Sequence, residues 1–267
     1  MKISIFTTMT NPDQRMDPWR EALNCYKEFA DEVIIVGEDF KEEFMWSDIG
    51  KMFTEGFNRA TGDWVIWMDI DNIFHENNFI DLKNDILKNK NEISIAFPKI
   101  QIFTPDRFAV KSVICRAFNK KDFPEIKLNG GGDLCLPTYN NKLIEPKLVK
   151  KTKIPIWNYD TVFRTKEIIS LDRARFARAW KREFGDYGNR GSGDPQEAFE
   201  AWFEMVKLRY NSHIHNLKIE DHPSFILSKL KNLTSEQFGF NGFGLKNIFN
   251  PNLKNYIIGY KDRFRYL

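Results

Sequence analysis

The stretch from Thr61 to Asp71, TGDWVIWMDID, limits the fold more than any other part of the chain. Val65, Ile66, Trp67 and Met68 carry the β-branched and aromatic bias of a buried strand, and that strand runs into two aspartates one residue apart. Two carboxylates are costly there unless they sit at the strand's carboxyl end and something positive meets them. The strand is also the third of a series. Lys2 to Thr7 reads as a first strand and Glu32 to Gly37 as a second, with successive strands about 30 residues apart. Pro18 opens a helix, PWREALNCYKEFA, with Trp19, Leu23, Tyr26 and Phe29 at helical spacing. Ser47 reads as the cap of a second helix that Gly62 stops. A β-α-β-α-β run with this spacing implies right-handed crossovers and a parallel sheet. Such sheets bind ligands at the carboxyl ends of their strands, here Thr7-Thr8, Glu38-Asp39 and Asp69-Ile70-Asp71.

Beyond residue 71 the pattern loosens. Asn78 to Lys90 reads as a helix and Ile93 to Phe97 as a strand. Ile100 to Phe118 reads as two strands around a Thr104-Pro105-Asp106 turn. Three glycines then lead into Asp133 in NGGGDLCLP, and IPIWNYDTVFR carries Asp160. Leu171 to Phe184 is a helix with Arg173, Arg175, Arg178, Lys181 and Arg182. That basic run reads as a solvated face, or as a holder of phosphates or an anionic acceptor. Asp194-Pro195 caps a further helix, another ends near Leu233, and an aromatic, Gly- and Asn-rich tail follows.

Composition excludes some classes. Forty basic and 37 acidic residues give a net charge of +3, too balanced for nucleic acid as the main partner. Three widely spaced cysteines make neither a disulfide framework nor a zinc ribbon, which suits a reducing, cytoplasmic setting. The opening MKISIFTTMTNPDQR is too short in apolar residues for a signal peptide, and no apolar run reaches the ~20 residues of a membrane helix. Peripheral membrane contact stays open. Aromatics at 15% imply a Phe-rich core before they imply stacking surfaces for sugars.

Asp69 and Asp71 point the same way if the strand pattern persists, and such oxygen ligands suit Mg²⁺ or Mn²⁺, which in turn bridges a diphosphate. The plain alternative is a pair of solvent-facing turn residues. Context favours the first. Ala60-Thr61-Gly62-Asp63-Trp64 followed by Asp69-Ile70-Asp71 resembles the nucleotide-binding half of GT-A glycosyltransferases of family 2, over residues 1 to about 75. The resemblance implies a GT-A-like α/β fold, with a Rossmann-like half, a mostly parallel central sheet and an acceptor-binding half. Residues 1–97 and 98–233 would be those halves, and 234–267 a C-terminal extension.

The same resemblance implies metal-dependent transfer of a sugar, with inversion, from a UDP- or GDP-type donor to a glycan or other hydroxyl acceptor. Asp71 would bind the cation and Asp69 the ribose or sugar, while Thr7, Thr8 and Asp39 would hold the nucleoside. A late His-Pro pair makes His222 a further metal ligand. The chain departs from the family where Gly37-Glu38-Asp39-Phe40 replaces the frequent Asp-Gly-Ser, and Phe53-Thr54 the frequent Arg-Asn pair.

Inverting transfer needs a base facing the anomeric carbon, and Asp133 and Asp160 are the candidates. Three of the four histidines, His213, His215 and His222, lie within ten residues beside Glu220-Asp221. That density also admits a zinc site or, more plainly, solvated histidines at 213 and 215. The rival readings are a non-catalytic nucleotide- or sugar-binding protein, a sugar nucleotidyltransferase and a zinc hydrolase. The second usually has a glycine-rich basic loop after the first strand, and TTMTNPDQR has no glycine.

Overall fold

The computed structural model describes residues 1–129, 136–186, 188–248 and 254–257. The chain opens with β1 (Ile3–Thr8), α1 (Trp19–Phe29), β2 (Glu32–Val36), α2 (Trp46–Arg59) and β3 (Trp64–Trp67). A short β4 (Asn72–Ile73) and α3 (Phe79–Lys88) lead into two long strands, β5 (Ser94–Thr104) and β6 (Arg107–Asn119). Short strands follow at β7 (Lys127–Asn129), β8 (Leu136–Tyr139), β9 (Lys142–Leu143), β10 (Lys150–Lys151) and β11 (Ile156–Asn158). The chain continues with α4 (Lys166–Phe184), α5 (Pro195–His213), β12 (His215–Asn216), α6 (Ser224–Lys231), α7 (Phe238–Asn241) and β13 (Lys254–Ile257).

The fold is α/β, laid out as the resemblance implied. The main sheet runs β2-β1-β3-β6-β5-β11-β4. Its first three strands are parallel, with Thr7 beside Ile35 and Phe6 beside Trp67. β6 is antiparallel to both β3 and β5, and β11 is parallel to β5. Hence β1, β2, β3, β5 and β11 all point one way, and their carboxyl ends share one edge.

Period-2 alternation builds two cores. Trp64, Ile66 and Met68 face a layer made by α1, α3 and α6, while Val65 and Trp67 face α2 and α4. A third cluster joins α5 to Phe238 and Leu245, so the start of the aromatic tail is packed inside. The abundant rings pack in these cores, as Phe53 does at a tilt against Trp67 and Phe29 against Phe74.

The two strands expected before and after Pro98 are one strand. Proline breaks a ladder by lacking an N–H. Here it faces Val113 on one side, and on the other it falls between the β10 pairing at Ile95 and Ala96 and the β11 pairing at Lys99. The second helix starts two residues earlier than a Ser47 cap suggests. Met45 is its cap, and the Asp48 carboxylate accepts the Met45 N–H at 3.0 Å.

The run Ala60 to Trp64 splices β3 to its neighbours. Thr61 N–H donates to Glu32, Gly62 N–H to Ser4 Oγ, and Lys2 N–H to the Asp63 carboxylate. Gly62 is required by closeness: a Cβ there would stand 2.6 Å from Ser4 Oγ and 2.7 Å from Ser4 N. Gly62→Ala should therefore destabilise the fold by about 1–3 kcal/mol, the range for forced overpacking. The check is urea unfolding, with a lower midpoint at unchanged slope; an unmoved midpoint would remove the close-approach argument.

Candidate active site

The strand stops at Trp67, so the alternation that would aim Asp69 and Asp71 together does not continue. Residues 69–72 form a turn closed by Asn72 N–H donating to Asp69 O at 2.8 Å. From α1, the buried Tyr26 hydroxyl sits 2.7 Å from both Asp69 O and Asn72 O, holding the two ends of the turn. The turn gives the two carboxylates different company.

Asp69 meets protein cations. Arg116 Nη2 lies 2.9 Å and Lys99 Nζ 3.6 Å from Asp69 Oδ2, and both cations are buried. The Arg116 guanidinium also stacks 3.3 Å over the Trp67 ring centroid. A register shift explains its aim. Ile95 pairs with Ala117 and Ala96 with Cys115, so Arg116 is an extra residue in β6. A second shift, from Lys99 beside Ser112 to Ile100 beside Val110, makes Lys111 another. Bulges of this kind re-aim side chains next to sites.

Asp71 is buried and has no ion pair among the described residues. Its hydrogen-bond donor is Asn158 Nδ2, at 3.2 Å. Burial, then the charges of Asp160 and Asp69, push its carboxyl up to about 7. The β4–β11 register brings Asp160 there. Asn72 pairs antiparallel with Asn158, and Tyr159 N–H donates to Asp71 O at 2.9 Å.

Asp160 is held the opposite way. Burial would raise its carboxyl, but Arg173 and Arg164, with Lys111 and Lys99, outweigh that and hold it well below the usual range. Arg173 Nη2 is 2.9 Å and Arg164 Nη1 3.3 Å from it. Arg164 in turn sits among Asp17, 2.6 Å away, and Asp172, 3.2 Å away, and Arg15 bridges those same two aspartates. The tail supports this segment from behind, with Phe238 N–H donating to Arg164 O and Gly239 N–H to Val162 O.

The other expected residues divide. Thr7 and Thr8 end β1 on the same edge; Thr7 Oγ1 is buried without a hydrogen-bond partner among the described residues. Asp39 stands exposed in the turn after β2, also on that edge. Asp133 lies outside the described residues. His222 is a correction. Its Nε2 faces Pro105 O at 2.8 Å, which fixes a proton there, and its Nδ1 accepts from the Tyr159 hydroxyl at 2.9 Å. With both nitrogens engaged and its ring packed near Trp157, His222 is structural and offers no lone pair to a cation.

The zinc reading fails on the same geometry. His213 is exposed at the end of α5, and His215 is buried against Phe108. Among the described residues, no three His, Cys, Asp or Glu side chains are grouped to hold a metal ion. The basic helix divides. Arg173 turns inward to pair with Asp160, while Arg178 and Arg182 both bind the half-exposed Glu43. With Lys181 and Arg182 exposed, that end of the helix is the solvated face the sequence suggested.

Sequence reading does not point to Lys99, Arg116 or Arg164. A single basic residue inside the apolar runs FPKIQIF and ICRAF is the trace the first two leave.

No protein-family model matches the chain, and no curated protein sequence matches it. Among solved structures it is similar to S. aureus TarS, at 11% identity and a TM-score of 0.36, over 72% of this chain and 45% of that one. The 1–349 form of TarS aligns at 10% identity and 0.35, over 78% and 79% of the two chains. The same form in complex with UDP aligns at 9% and 0.36, over 79% and 72%. Likeness at this level does not define what the chain does. Among the described residues, no helix is long and apolar enough to cross a membrane.

The raised carboxyl of Asp71 has a consequence for stability. An unfolded aspartate ionises near 4. Between that pH and about 7, native Asp71 keeps a proton that the unfolded chain has lost, so its contribution to stability falls as pH rises through this window. Asp160 is ionised throughout it and contributes equally to both proteins compared. In EDTA, Asp71→Asn should therefore gain melting temperature relative to the parent as pH goes from 5 to 8. A difference between the two proteins that stays constant with pH would refute the uncompensated charge.

Proposed function

We propose that the chain is a glycosyltransferase, moving a sugar from a nucleotide-diphosphate donor to an acceptor hydroxyl. The observation that carries this is Asp71: a buried carboxylate without a cation of its own, beside Asp160, at the carboxyl edge of a parallel sheet. Two carboxylates fit Mg²⁺ or Mn²⁺ of the kind whose remaining ligands are substrate phosphates and water. Asp71 and Asp160 would hold that ion. When bound, it offsets the charge that develops on the departing diphosphate.

The remaining roles follow from position. Thr7, Thr8 and Asp39 lie at the ends of β1 and β2, where a nucleoside would sit. Asp69 is fixed by Arg116 and Lys99 and presents what stays exposed of it to the ribose or sugar. A carboxylate gripped by Arg173 and Arg164 is a poor proton acceptor, so the base role passes from Asp160 to Asp133. Inversion rests on the family 2 resemblance alone.

A second reading comes from the same carboxyl. A group poised near 7 is itself suited to general-base work, and in a metal-free reaction Asp71 would take the acceptor proton. Titration calorimetry with UDP and GDP, in Mn²⁺ and then in EDTA, separates these readings. We expect one nucleotide to bind only with the metal, and Asp71→Ala to lose at least tenfold in affinity while staying folded. Binding that ignores EDTA would favour Asp71 as base. No binding by the folded chain would leave a non-catalytic protein.

A further inference from the structure

The arginines of α4 are not equally satisfied. Arg173 donates to Asp160, Arg178 to Glu43, and Arg182 to Glu43 and Phe44 O. Arg175 lies on the same helix with only 14% of its side chain exposed, yet it makes no hydrogen bond among the described residues. Its ion pair is with Asp172 Oδ1, at 3.6 Å, beyond hydrogen-bond reach, and its Nε is buried without a partner. Arg15 claims that same oxygen at 2.5 Å, and Arg164 takes the other oxygen of Asp172 at 3.2 Å.

One carboxylate thus faces three guanidinia. Asp17 offsets part of that charge through Arg15 and Arg164, and Asp160 part of it through Arg164, but neither is paired with Arg175. Glu42 also bears on Arg175, more weakly than Asp172 and Arg15. Burial and the neighbouring Arg15 and Arg164 hold the guanidinium below its ordinary range, as an under-compensated cation would be. Two phenyl rings, of Phe44 and Phe176, flank it at 5.4 and 5.6 Å.

The location is specific. Arg15 belongs to the loop after β1, and Phe44 to the loop after β2. Both loops leave the carboxyl edge that carries Asp71.

We propose that Arg15 and Arg175 form an oxyanion subsite of phosphate class, built between the β1 and β2 loops and α4, next to the Asp71–Asp160 pair. Guanidinia are matched to phosphate oxygens by their planar fork, and an incoming anion would supply the charge that Asp172 divides among three cations. The subsite stands apart from the transferase reading. That reading matters only for the source of the anion, which is either the donor's diphosphate or an anionic group on the acceptor.

The test is calorimetric titration of inorganic pyrophosphate into the full chain, in EDTA at low salt. We expect saturable binding that Arg175→Gln and Arg15→Gln each weaken at least tenfold, while Lys51→Gln, at an exposed site on α2, leaves it unchanged. Thermal melting accompanies each variant; if Arg175→Gln does not fold, the loop variant Arg15→Gln decides. No saturable binding by the folded parent, or equal loss in Lys51→Gln, overturns the subsite. Competition between pyrophosphate and Mn²⁺-UDP assigns the anion to the donor, and simultaneous binding assigns it to the acceptor. Pyrophosphate binding with no nucleotide binding keeps the subsite and removes the transferase. Nucleotide binding with no effect of either arginine does the reverse.

Discussion

Charge compensation at the carboxyl edge governs this structure. Five aspartates, at 17, 69, 71, 160 and 172, gather where the strands end, and four of them are met by buried or half-buried basic side chains. Each of those four meets more than one cation, so the charge is shared across a network and not held by single pairs. Asp71 is the exception, and it stays next to the others because the β4–β11 pairing and the Tyr26 hydroxyl fix its backbone. A buried carboxylate without a cation of its own, inside a compensated frame, is what marks this edge as the candidate site.

The frame draws on distant parts of the sequence. Arg164 joins the loop after β1, through Asp17, to the start of α4, through Asp172. Residues 238 and 239 then fasten the Val162–Arg164 segment to the tail. The segment beginning at 234 is thus tied to the position of Asp160, whatever the residues beyond it contribute.

How much of this the sequence discloses depends on whether local pattern or long-range pairing decides the outcome. The parallel half is legible because period-2 and period-3.6 alternation in KISIFT, PWREALNCYKEF and WVIW is strong and local. The edge that carries the candidate site is legible too, since it follows from strand direction. Its contents are less so. Asp69 and Asp71 part company because β3 ends at Trp67, before either aspartate, so the alternation that would aim them together is lost. Arg116 and Lys111 act on the site because each is a surplus residue in β6, and surplus residues leave no mark in a sequence without the partner strand. His222 looks like a ligand in sequence, but Tyr159 and Pro105, from elsewhere in the chain, take both its nitrogens.

The Ala60–Trp64 splice bears on recognition itself. Its hydrogen bonds run to Lys2, Ser4 and Glu32, all at the amino end of the sheet, across the sheet from Asp71. The run is thus a joint between strands, and its letters report how the sheet is assembled, while the candidate site lies at the opposite rim.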